Sequence, residues 1–129
     1  MFKNFVITCF LGMLGIILGA FGAHALKEVL TSEELVSFNT AVRYQMYHVI
    51  VLLFVNGYAA FSIKQKNTIS WLFFSGIFLF SGSIYAIQLT PVTAKSIWFV
   101  TPLGGLFFIL GWAFMLTGFL KKNEKEIKK

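Results

Sequence analysis

Three polar residues, Gln45, His48 and Asn56, interrupt an otherwise apolar stretch in the middle of the chain. At about 100° per helical residue they fall within about 80° of one another, with Ala41 and Leu52 between them, so a helix presents them as one polar stripe. An amide both donates and accepts hydrogen bonds, and an imidazole titrates near neutrality and ligates metals. Arg43 and Tyr47 share another face of the same stretch, and Tyr44 lies one turn before His48. His24 and Glu28 stand four residues apart, the spacing of two ligands on one helix face, and with His48 they form a sparse metal set. Arg43 has the geometry to hold a lipid phosphate beside a histidine acting as general base.

Those residues allow three classes of function. Against an enzyme, no nucleophile stands beside a base, no glycine-rich phosphate loop precedes a basic residue, and no HExxH pattern occurs. Against a proton-coupled carrier, all five acids (Glu28, Glu33, Glu34, Glu124 and Glu126) lie outside the apolar runs, where such carriers keep a carboxylate. The expected function is therefore a non-catalytic membrane element that binds lipid or a partner. The alternative is a small transporter or channel for an ion or small anion using His48 and Arg43. A membrane-embedded enzyme acting on lipid comes third. No cofactor and no metal are expected.

The elements that must position these side chains are four apolar runs, at 5–23, 41–62, 69–89 and 102–120, of 19, 22, 21 and 19 residues. A hydrocarbon core of about 30 Å needs about 20 helical residues, so each run has the length of a span. Composition agrees: 57% of residues are hydrophobic and 12% charged, against about 25% charged in soluble domains. The expected fold is an all-α four-helix transmembrane bundle with short loops, one domain over 1–120, and a basic tail over 121–129. Ala23-His24-Ala25 has the small-x-small form of a signal cleavage site, but the apolar run before it reaches full spanning length, so a retained helix is expected.

With four spans, Lys3, Lys64, Lys66, Lys121, Lys122, Lys125, Lys128 and Lys129 share one side, against Lys27, Arg43 and Lys95 on the other. The positive-inside rule then puts both termini in the cytoplasm. The net charge of +6 is accordingly a matter of topology, with no basic-aromatic interleaving in a soluble segment that would suit nucleic acid. Thr31-Ser32-Glu33-Glu34 reads as a capping box that starts the second helix outside the membrane. Thr90-Pro91 ends the third helix, and Thr101-Pro102 is expected to cap the fourth. Trp98 and Trp71 are expected at the two interfaces.

Small residues mark the packing faces: Gly12, Gly15, Gly19 and Gly22 in the first run, Gly82 with Ser75 and Gly76 with Ser83 in the third, and Gly104, Gly111 and Gly118 in the fourth. Helices in lipid associate by close backbone approach, so these stripes predict a tight bundle with little lumen, and allow contacts with a second copy. Cys9, the one cysteine, is expected to be buried as a small hydrophobe. This topology gathers His24, Arg43, Gln45, Tyr47, His48, Ser83, Tyr85 and Thr101 into the outer leaflet half as a candidate binding cluster, the cytoplasmic half being expected nearly bare apart from Asn56 and Tyr58. Gln45 and His48 are expected to bond across the bundle to the third or fourth helix or to His24.

Four segments carry a resemblance: Gly19-Ala20-Phe21-Gly22-Ala23-His24, Thr40-Ala41-Val42-Arg43-Tyr44-Gln45-Met46-Tyr47-His48, Phe80-Ser81-Gly82-Ser83-Ile84-Tyr85, and Thr101-Pro102-Leu103-Gly104-Gly105 through Gly111-Trp112. In this order they resemble the small bacterial inner-membrane proteins of domain of unknown function 423. The resemblance covers essentially the whole chain. It implies a four-helix integral protein of the bacterial cytoplasmic membrane and no particular activity.

Overall fold

The computed structural model describes residues 2–127, with side chains described as far as Lys121. The charges expected in the tail at Lys122, Glu124, Lys125, Glu126, Lys128 and Lys129 lie outside the described side chains. Four helices run alternately up and down: α1 (Phe2–Ala23), α2 (Ser32–Gly57), α3 (Ile63–Leu89) and α4 (Val100–Ile127). A 3-10 turn, Ala25–Glu28, links α1 to α2, and α3 widens into a π-helical turn over Ile77–Ser81.

Helix α2 begins where the capping box puts it. Glu34 N donates to the Thr31 hydroxyl and Thr31 N to the Glu34 carboxylate, satisfying two amides that a helix start leaves without partners. It ends at Gly57, earlier than the expected 62, because a second capping box takes over. Ser62 N donates to Gln65 Oε1, Gln65 N donates to Ser62 Oγ, and α3 starts at Ile63 instead of 69. Trp71 is therefore about 12 Å along α3 and not at its end. Helix α4 starts at Val100, so Thr101 is already inside the helix and does not cap it. Thr90 does follow the last residue of α3.

Helix α1 with the turn that follows it, α3, and α4 as far as Lys121 are long and apolar enough to cross a membrane. Helix α2, at 26 residues, has the length but is more polar. Its polar stripe, Gln45, His48 and Asn56, is buried against neighbouring helices, while Arg43, Tyr47, Ile50, Leu53 and Phe54 are exposed.

The glycine stripes are the interfaces. Along α1, Gly12, Gly15, Gly19 and Gly22 meet Val49, Met46, Val42 and Phe38 of α2 in antiparallel register. Along α4, Gly104, Gly111 and Gly118 meet Phe80, Phe73 and Phe61, while Gly76 of α3 receives Phe108. At Gly104 the approach is backbone to backbone: a β-carbon there would lie 2.7 Å from Phe80 Cα. Small residues allow this approach, and the van der Waals contact it gives holds helices together in lipid.

Two expectations about small residues are corrected. Gly82 has nothing within 4 Å of its β-carbon position, because the widened turn leaves Ser83, not Gly82, on the face toward α4. Cys9 is exposed. It projects roughly 100° around α1 from the mean direction of the glycine stripe, away from α2.

Candidate functional site

Helix α2 carries two clusters of buried polar side chains. The first runs from the middle of α2 toward the end opposite the chain termini. Gln45, only 1% exposed, donates from Nε2 to the carbonyl of Leu11 on α1 at 2.7 Å and accepts at Oε1 from the Tyr85 hydroxyl on α3 at 2.8 Å. One side chain thereby ties three helices together. Close by, the Ser81 hydroxyl donates to the Ala41 carbonyl at 2.7 Å, which pins the π turn to α2. Ser83 and Thr101 share a 2.6 Å hydroxyl bond between α3 and α4.

His48 sits one turn deeper, its ring stacked on Phe108 with centroids 3.6 Å apart and planes 4° from parallel. Its Nδ1 is 2.7 Å from the Tyr44 carbonyl, and its Nε2 is 3.3 Å from the indole Nε1 of Trp112. A carbonyl only accepts and an indole N–H only donates. The partners therefore assign the proton to Nδ1 and the lone pair to Nε2, a neutral ring with both nitrogens engaged.

The second cluster, at the end that holds the termini, was not expected: that half of the bundle is not bare. Asn4 Nδ2 donates to Asn56 Oδ1 at 2.9 Å and to Asn67 Oδ1 at 3.0 Å. Asn56 Nδ2 donates to Ser70 Oγ and to the Leu52 carbonyl, both at 2.9 Å. Lys66, 7% exposed, donates from Nζ to the Asn56 carbonyl at 3.0 Å, where the last turn of α2 runs out of intrahelical donors. Thr8, fully buried, donates to the Asn4 carbonyl. Among the described residues no buried side-chain nitrogen or oxygen lacks a hydrogen-bond partner.

Of the residues expected to form one outer cluster, the fold brings Gln45 to Tyr85, Ser83 to Thr101, and His48 to α4. His24, Arg43 and Tyr47 are exposed and stand apart from these bonds, because they lie on the outer faces of α1 and α2. Among the described residues no three His, Cys, Asp or Glu side chains are grouped to hold a metal ion. Ser81 and Trp112 were marked only by the segments that carry the family resemblance, and the Asn4–Asn67–Ser70 set was not anticipated. Isolated polar residues near span edges carry no periodic signal, although the Ser62/Gln65 box was legible at its spacing.

The arrangement is a membrane bundle held by polar bonds inside and small-residue contacts between helices, and comparison with known proteins agrees. The family model "Protein of unknown function (DUF423)" matches residues 18–105. This chain belongs to the DUF423 family. It is 33% identical over 123 residues to the UPF0382 inner membrane protein YgdD of Escherichia coli, covering 90% of this chain and 88% of that one. It is 38% identical over 112 residues to the UPF0382 membrane protein YwdK of Bacillus subtilis, covering 84% and 89%. A UPF0382 membrane protein of Staphylococcus epidermidis is 38% identical over 109 residues, covering 84% and 88%. No solved structure is significantly similar. This DUF423 protein is thus a multi-pass protein of the bacterial inner membrane, which its three apolar helices of spanning length fit. The match takes in Gln45, His48, Ser81, Ser83, Tyr85 and Thr101, and it ends before Trp112.

Proposed function

We propose that this protein is a non-catalytic, lipid-binding structural element of the cytoplasmic membrane, with both termini in the cytoplasm. One observation carries the reading: the buried polar groups find their partners within the bundle, while the room left by the fold lies in grooves on the lipid-facing surface. Gln45, His48, Ser83, Tyr85 and Thr101 are spent holding helices together. His48 would have to break its bond to Trp112 before it could bind a metal or pass a proton, which speaks against the transporter alternative. His48 stacked on Phe108, with Phe73 tilted against it, fills the middle of the bundle, where a conducting path would run. The excess of lysines at the end with the termini supports the orientation.

The test is native mass spectrometry of protein released from lipid nanodiscs, comparing wild type with His48→Ala and Arg43→Ala. Lipid adducts are expected on all three, with His48→Ala unfolding in the gas phase at lower collision energy. A small anion or metal retained by wild type and lost from either variant overturns the reading in favour of a ligand site in the outer cluster.

A further inference from the structure

A groove of about 690 Å³ runs between α3 and α4 from the end that holds the termini toward the middle of the membrane. Lys64, Thr68 and Lys121 stand at its mouth, and Leu72, Leu110 and Phe114 line it farther in. Both lysines are exposed. Eight residues separate Lys64 from Leu72 along α3 and eleven separate Leu110 from Lys121 along α4, about 12 and 16 Å of helix. Half of a 30 Å hydrocarbon core is about 15 Å, so the groove has the depth of one leaflet.

We infer that this groove is a binding site for a single anionic phospholipid, its phosphate between Lys64 and Lys121 and one acyl chain against Leu72, Leu110 and Phe114. The charge order fixes the occupant: two cations at headgroup level and apolar walls below match the polarity of an anionic lipid along its length. Lysine stems lie well along apolar surface with the ammonium in the interface. The second groove, lined by Ile7, Leu11, Phe74 and Phe78, has no cation in its lining and would accept any acyl chain without choosing a headgroup. Gly118 lines the lipid groove and also receives the Phe61 ring, whereas the closest approach of α3 and α4 lies at Gly104, outside the groove lining.

This inference rests on the lipid-binding reading and adds the site and headgroup class. A cation at the membrane surface favours anionic lipid by roughly fivefold, so the pair should give about thirtyfold. The experiment is native mass spectrometry of the full chain from nanodiscs containing equal phosphatidylglycerol and phosphatidylcholine. Wild type is compared with the double variant Lys64→Gln/Lys121→Gln and with Ala113→Trp, which fills the groove from an exposed position in its lining. Wild type should retain one phosphatidylglycerol in preference to phosphatidylcholine. The double variant should lose the preference while keeping lipid, and Ala113→Trp should lose the tightly held lipid. Phosphatidylglycerol retained equally by all three overturns the groove as its site. Wild type holding both lipids equally overturns the anionic preference and leaves general lipid binding standing. Wild type holding neither lipid overturns the lipid-binding reading itself.

Discussion

Gly104→Ala and Gly105→Ala add the same methyl group to adjacent positions of α4 and should act in opposite directions. At Gly104 the new carbon would meet Phe80 N and lie 2.7 Å from Phe80 Cα and 2.8 Å from Leu79 C, all backbone atoms. Ordinary contact begins near 3.4 Å and Phe80 N is the nearest atom, so α3 and α4 would have to separate by about 1 Å at the π turn. Backbone cannot rotate out of the way as a side chain can. The cost belongs at the upper end of overpacking, about 3 kcal/mol. Replacing a helical glycine by alanine returns about 1 kcal/mol, leaving a net loss of about 2 kcal/mol. At Gly105 the nearest atom is Phe80 Cδ2 at 3.9 Å, an ordinary contact, so only the helix gain applies. The two variants should differ by about 3 kcal/mol. Reversible unfolding in mixed micelles of rising dodecyl sulfate fraction, followed by circular dichroism, measures the difference. Equal stabilities, or a Gly104→Ala variant as stable as wild type, would refute the backbone approach and the account of the α3–α4 interface.

The tautomer at His48 is open to direct measurement. Nitrogen-15 NMR of the labelled ring should show the proton on Nδ1, and Trp112→Phe should move the Nε2 resonance while leaving Nδ1 bonded to the Tyr44 carbonyl; a ring protonated at Nε2 would contradict the assignment. Gln45→Leu strands the Leu11 carbonyl and the Tyr85 hydroxyl, and at roughly 0.6 to 1.7 kcal/mol for each interhelical bond in lipid the loss should be about 1 to 3 kcal/mol in the same unfolding assay. Cysteines placed at Lys64 and at Ser32 in a background without Cys9 should react with an impermeant maleimide from opposite faces of the membrane, Ser32 from outside; labelling of both from outside would overturn the proposed topology.

The features legible in the sequence share a physical character. The start of α2 at the Thr31 box and the end of α3 before Thr90 depend on side chains within three or four residues of the backbone they satisfy. The start of α3 was equally local, but the apolar run begins only at 69, beyond Lys64 and Lys66, although Ser62 and Gln65 have capping-box spacing. Lys66 reads in sequence as one more loop cation, and in the fold it is buried on the Asn56 carbonyl near the end of α2. The glycine stripes of α1 and α4 were readable as faces because a whole helix repeats them. Gly82 failed as a packing residue because its expectation assumed an unbroken α-helix through a segment that winds as π.

Composition and spacing alone determined that this protein is helical, lies in a membrane, and turns one polar stripe of α2 away from lipid. Hydropathy, helical period and caps act over a few residues and hold in any packing. Tertiary structure alone decided which polar groups meet. Asn4 finds Asn56 and Asn67, 52 and 63 residues away, and His48 takes its tautomer from Trp112, 64 residues away. Hydrogen bonds across helices require agreement in depth and rotation to within a fraction of an ångström. The bond from Ser81 in the π turn to the Ala41 carbonyl and the backbone contact at Gly104 are likewise made between helices, and neither is a property of one residue and its near neighbours.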